Sequence, residues 1–182
     1  MTEEWPKIRA RRVSVLSRWM SVIERHVEFT PGAPLETYHS IGQRDYLAIL
    51  AVTPDGRIPI VRQYRPALEA FTWELPAGLV DDNETPEESC RRELMEETGF
   101  PARHIHLLGT AAPCTGRMSN RIHSFFVESG PRAATFTPEP GVMTKLVTPA
   151  ELLQAIKCGE FVQQLHLGTL LLAELRSFIK LA

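Results

Sequence analysis

The sequence predicts an α/β fold in which a few helices flank a mixed sheet. Two observations carry this expectation. Apolar runs of strand length, Asp45–Val52, Ile58–Tyr64, His104–Thr110 and Arg121–Val127, are spread along the chain. Interleaved with them are stretches bearing helix start and stop signals, from Thr85 to Gly99, from Thr148 to Lys157 and from Leu165 to Leu181. At 182 residues, 43% of them hydrophobic, the chain can bury one substantial core. Residues 1–40 read as a small N-terminal β extension and residues 41–182 as the main domain.

Charge and cysteine content narrow the function classes. A net charge of −2 gives no basic surface for nucleic acid. The three cysteines, Cys90, Cys114 and Cys158, are scattered and odd in number, without zinc-site or disulfide spacing. A reducing cytoplasm is the expected compartment. The N-terminus lacks the apolar core of a signal peptide. No apolar run approaches the roughly 20 residues that a membrane span needs.

Within residues 1–40, Val13, Val15, Trp19, Val22, Val27 and Phe29 read as strand material, with Pro31-Gly32-Ala33-Pro34 as a turn. So short a piece buries little alone and must pack on the main domain or a second subunit. Trp5 and Trp19 are either packing anchors or a stacking surface for a purine base. Thr53-Pro54-Asp55-Gly56 is a turn by composition, so Asp45–Val52 and Ile58–Tyr64 are expected to pair as a hairpin.

The segment from Gly78 to Phe100 organises the rest. Thr85 is the expected N-cap, Pro86 suits the first helical position, and Glu88 completes a capping box. Gly99 ends the helix in the left-handed conformation and Pro101 prevents its resumption. Cys90 and Leu94 face a core, while Glu93, Glu96 and Glu97 converge on one edge. Carboxylates at these spacings repel, each pair costing roughly 0.2–0.5 kcal/mol, and the C-terminal turn already carries partial negative charge. The edge is either a solvated acidic face paired with Arg91 and Arg92, or a site for a hard divalent cation such as Mg2+ or Mn2+.

The spacing weighs on that choice. Gly78, five residues, Glu84, seven residues, then Arg92-Glu93-Leu94, Glu96-Glu97 and Gly99-Phe100 fill every fixed position of the Nudix box. The chain thus resembles the Nudix hydrolase family. Further, Arg62-Gln63-Tyr64-Arg65-Pro66 and Trp73-Glu74-Leu75-Pro76-Ala77-Gly78 resemble the lead-in to the box in the ADP-ribose pyrophosphatase branch. Thr115–Asn120 resembles that branch's glycine-containing loop.

The resemblance implies a Nudix α/β/α sandwich that uses Mg2+ or Mn2+ to hydrolyse a nucleoside diphosphate linked to another group. It implies Glu93, Glu96, Glu97 and the Ala77 carbonyl as metal ligands, with Glu93 alternatively orienting the water. Arg92 is expected to pair with Glu84 and hold the box in shape. Arg65 is implied on a phosphate and Glu74 near the metals. Arg117 and Trp19 are implied at the substrate, and Glu139, in the Pro-rich loop from Gly130 to Gly141, as a base or extra ligand. Attack on ADP-ribose would give AMP and ribose 5-phosphate. Other diphosphates (GDP-mannose, a dinucleotide, a coenzyme) stand as alternatives, as does a non-catalytic nucleotide-binding module. Related hydrolases imply a homodimer whose N-terminal strands help to build the base site. Beyond the loop, Lys145–Val147 reads as a short strand. Leu165–Leu181 reads as an amphipathic helix whose leucines are core or dimer surface, with His166 structural.

Overall fold

The computed structural model describes residues 5–181. Two compact units are present, one made of residues up to Arg44 with Ala112–Arg121, the other of Asp45–Ala111 with residues from Ile122 onward.

The first unit is an antiparallel sheet of β1 (Lys7–Ser17), β2 (Met20–Glu28) and β3 (Glu36–Gly42), in that order. Cross-strand ion pairs join Arg9 to Glu28 and Arg12 to Glu24. The turn at Pro31-Gly32 falls where composition predicts it. Trp19 does not lie within a strand; it sits in the turn between β1 and β2 with Arg18 stacked on its ring at 4.3 Å. Phe29 lies just past the end of β2. The loop residues Arg117 and Ser119 bond to both backbone groups of Ile41, at 2.7 and 3.0 Å.

The second unit contains two sheets. One has the order β7 (Ala77–Leu79), β4 (Tyr46–Val52), β9 (Ile122–Ser129), β8 (Ala102–Ala111), with β4 and β9 parallel. The other has the order β10 (Met143–Val147), β5 (Ile58–Arg65), β6 (Ala70–Glu74). The expected hairpin between β4 and β5 therefore does not form. A turn does exist at Thr53–Arg57, closed by the Thr53 N–H on the Arg57 carbonyl at 2.8 Å. However, β4 has both edges taken by β7 and β9, and the chain leaves the turn for the other sheet. The physical reason is two-sided burial. Leu47, Ile49 and Ala51 pack with Cys90, Leu94 and Phe125, whereas Leu50 packs with Ile58, Leu152 and Leu170 in a second cluster. Burial on both faces seats β4 between two layers, and β5 enters the neighbouring sheet, where Ile58 and Ile60 close the second cluster from the other side. The true hairpin partner of β5 is β6, a strand not read from the sequence.

Among the described residues, three helices cover these sheets. Helix α1 (Pro86–Thr98) starts and stops as its sequence dictates, with Thr85 and Glu88 forming a reciprocal capping box and Gly99 at φ 74°. A side chain at Gly99 would also strike Phe136, at 2.3 Å from its ring. Helix α2 (Pro149–Lys157) repeats the same capping box with Thr148 and Glu151. Helix α3 (Gln164–Leu175) is shorter than expected. Ser177 adopts φ 62°, and the N–H groups of Ser177 and Phe178 bond to the carbonyls of Glu174 and Ala173, both at 2.9 Å. That is a Schellman stop, and it turns Phe178 back onto Phe126, ring centroids 4.8 Å apart. Leu170 is buried, whereas Leu171 and Leu175 are exposed. With α1 on one core cluster and α2 and α3 on the other, the unit is an α/β/α sandwich.

Candidate active site

The acidic end of α1 is brought against β7. Glu97 is 7% exposed, and its Oε2 accepts the Ala77 N–H at 3.0 Å. Glu93, one turn earlier, lies against Gly78. A Cβ built there would stand 2.1 Å from Glu93 Oε1. No positive φ is recorded at Gly78, so this glycine is required by close approach rather than by backbone conformation.

Arg92 organises the carboxylates around it. Its Nε and Nη2 fork onto Glu84 at 3.0 and 2.9 Å, the pairing expected from the sequence. Its Nη1 donates to Glu93 at 2.8 Å and to Glu96 at 3.1 Å. Glu84 also accepts from Ser89 Oγ at 2.7 Å. These bonds hold the Glu84 carboxyl below its ordinary range, with Arg92 the main cause and Ser89 the second. The interior glutamates respond differently. Burial pushes Glu97 up to about 8, with Glu93 and Glu139 adding repulsion against the Ala77 N–H and Arg65. Burial raises Glu93 as well, opposed by Arg92. Glu139 is exposed in its loop and acts on Glu97 through charge.

Arg65 and Glu74 meet because odd positions of β5 and even positions of β6 share one face of the hairpin. Arg65 Nε donates to Glu74 Oε1 at 2.8 Å and Nη2 to Glu74 Oε2. The Thr72 hydroxyl donates to Glu74 as well. Burial favours the protonated form of Glu74, but Arg65 and Thr72 together outweigh it and the carboxyl lies below its usual range. The guanidinium expected on a phosphate is thus committed on two of its nitrogens to Glu74.

A cavity of about 560 Å³ opens beside this pair, lined among others by Tyr46, Arg65, Glu74, Ala77, Gly78 and His166. Thr72 and His166 are wall residues that sequence reasoning did not assign to the site. No local signal marks them, because the contact between residues 75 and 166 is made only by folding. Trp19 and Arg117 belong to the N-terminal unit. Arg117 there lines a groove with Arg25, Tyr38 and His39.

Among the described residues, no three His, Cys, Asp or Glu side chains are gathered into a metal-holding group. Arg92 spans Glu93 and Glu96 instead. The donor types still suit a hard cation, since carboxylate and carbonyl oxygens are what Mg2+ and Mn2+ prefer. The space that glycine leaves at residue 78 admits the Glu93 carboxylate beside the β7 backbone, and the buried Glu97 carboxyl calls for positive charge. The residues therefore fit such an ion.

Comparison with known proteins agrees with this architecture. The model of the NUDIX domain matches residues 42–164, well over half of the chain, and the protein belongs to the Nudix hydrolase family. A relative from Streptomyces rubellomurinus, CMP-5'-(N-acetyl-N-hydroxy-3-aminopropyl)phosphonate hydrolase, is 32% identical over 81% of this chain and 73% of its own length. The ADP-ribose pyrophosphatase of Bacillus subtilis is 38% identical over 45% of this chain, a match spanning 44% of that enzyme. That of Mycobacterium tuberculosis is 41% identical over 40% of this chain and 35% of its own length. A crystal structure of an ADP compounds hydrolase superposes with a TM-score of 0.78 over 96% of this chain and 95% of that one, at 21% identity, a likeness of fold.

Proposed function

We propose that the protein hydrolyses the diphosphate bond of ADP-ribose or a related nucleoside diphosphate sugar, giving a nucleoside monophosphate and a sugar phosphate. The observation that carries this reading is the meeting of a complete box with a roomy cavity. Glu93 and Glu97 lie against Ala77 and Gly78, and those two residues also line the wall shared with Arg65 and Glu74. Glu93, Glu96, Glu97 and the Ala77 carbonyl would hold Mg2+ or Mn2+. When bound, such an ion neutralises charge on the phosphate oxygens and acidifies water.

The chain's own residues supply the rest. Arg92 fixes the carboxylates of Glu84, Glu93 and Glu96 relative to one another. Glu93, held by Arg92, orients the attacking water or ligates metal. Arg65, oriented by Glu74, presents its remaining Nη1 to a phosphate oxygen. Glu139 is a candidate base, supported by its charge acting on Glu97. Trp19 is proposed to stack on adenine and Arg117 to contact the substrate, in a cytoplasmic homodimer. The apolar side chains of Ile8, Val13, Val15 and Leu16, at least half exposed, support such an association.

A second reading is favoured by the relative from Streptomyces rubellomurinus, whose match is the longest of the three sequence relatives described. On that reading the substrate joins a nucleoside monophosphate to a phosphonate. Turnover of ADP-ribose, ADP-sugars, GDP-mannose, dinucleotides and a CMP-linked phosphonate, each with Mg2+ and with chelator, separates the two. Glu97→Gln should lower turnover by at least about 100-fold while the fold survives. Tight binding of a diphosphate without metal-dependent turnover would instead mark a binding module.

A further inference from the structure

His166 opens α3 at the wall of the cavity, yet it is only 3% exposed. Its Nδ1 accepts the Leu75 N–H at 3.1 Å. A backbone N–H can only donate, so Nδ1 carries the lone pair and the proton resides on Nε2. No protein group accepts from Nε2 among the described residues. Nor is it sealed away, because Asn120 Oδ1 is the sole described buried side-chain atom lacking a partner. The Nε2–H therefore meets the cavity. Burial holds the ring near a pKa of about 4, so it stays a neutral donor at ordinary pH.

A second feature converges there. Gln163, the N-cap of α3, makes no side-chain cap hydrogen bond, and Gln163, Gln164 and Leu165 all line the same cavity. The uncapped first turn offers backbone N–H groups and the positive end of the helix dipole. Much of the cavity wall is aliphatic (Leu47, Leu68, Leu79, Ile122 and Val162), so the polar groups that could meet hydroxyl and phosphate oxygens are concentrated at Arg65, Thr72, Gln163, Gln164 and His166.

We propose that His166 Nε2 and the N-terminal turn of α3 form the subsite for the phosphosugar half of the substrate. This rests on the reading of the protein as a nucleoside diphosphate sugar hydrolase. His166 is a specificity residue here, donating one hydrogen bond to an oxygen of that half, while the Leu75 N–H fixes its tautomer and ring plane.

The test is direct binding, so it stands whether or not ADP-ribose is turned over. Titration of the wild-type protein with ribose 5-phosphate should move the 15N resonance of His166 Nε2, and inorganic phosphate should do so more weakly. His166→Asn keeps an acceptor for the Leu75 N–H but removes the distal donor. It should weaken ribose 5-phosphate at least tenfold and leave AMP within threefold. No shift at Nε2 through the millimolar range would overturn the proposal. So would an equal loss of AMP affinity in H166N, which would make the wall a nucleotide subsite. Absence of ADP-ribose turnover with ribose 5-phosphate still bound at Nε2 would sink the substrate assignment and leave the subsite standing.

Discussion

Replacing Gly78 by alanine isolates the contact between β7 and Glu93. The added methyl would lie 2.1 Å from Glu93 Oε1, 2.2 Å from its Cδ and 2.7 Å from Oε2. Ordinary contact begins at 3.4 Å, so the carboxylate must retreat by roughly 1 Å or more. A displacement of this size at a catalytic group costs about 100-fold in rate, equivalent to about 2.7 kcal/mol of barrier. Stability should hardly change. What moves is the carboxylate end of the Glu93 side chain rather than backbone, and the Arg92–Glu93 pair it disturbs is worth about 0.2–1 kcal/mol. Replacing glycine by alanine returns about 0.4–1 kcal/mol through the unfolded chain. The two nearly cancel, which keeps the melting temperature within roughly 4 °C. The assay is kcat/KM for ADP-ribose hydrolysis with Mg2+, with a thermal melt of the same preparation. Near wild-type activity would refute the idea that this glycine positions Glu93. A melting temperature lowered by more than about 10 °C would show that the residue serves the backbone instead.

Other outcomes follow from the same geometry. Glu97 is raised in the fold from 4.5 to about 8, so its contribution to stability is full below the ordinary carboxylate pKa and is lost as pH rises through about 8. Urea unfolding of metal-free protein from pH 5 to 9 should thus show a decline of up to about 4 kcal/mol, which E97Q flattens; parallel profiles would contradict this. Arg92→Lys supplies one ammonium where a fork serves Glu84 and a third nitrogen serves Glu93 and Glu96; activity should fall about 10- to 100-fold with no more than about 1 kcal/mol of stability lost. Leu94→Ala empties space beside Cys90 and Leu47 in a fully buried cluster, and should cost about 2–5 kcal/mol in denaturant unfolding with activity kept at low temperature.

Helix α1 was legible in the sequence because its determinants are local. Thr85, Pro86, Glu88 and Gly99 act within one or two turns, and each appears in the structure in the role its chemistry dictates. The same holds for α2, whose cap repeats that logic. The Arg92–Glu84 pair was legible too, because both partners lie within the box. The end of α3 was not, since a leucine pattern cannot reveal that Phe178 is drawn back to Phe126.

By itself, then, the sequence determined the box, the capped helix that carries it and the family to which the chain belongs. Spacing along one helix is enough to set which carboxylates share an edge. Tertiary structure alone decided that β4 lies between β7 and β9 rather than beside β5, and that Glu97 meets the Ala77 amide. It decided also that Arg65 is held by Glu74 and that His166 accepts the Leu75 N–H at the cavity wall. Apart from the Arg65–Glu74 pair, which depends on the pairing of β5 with β6, these contacts join residues far apart in the chain, and they form as two core clusters are buried on opposite faces of the β4–β9 pair.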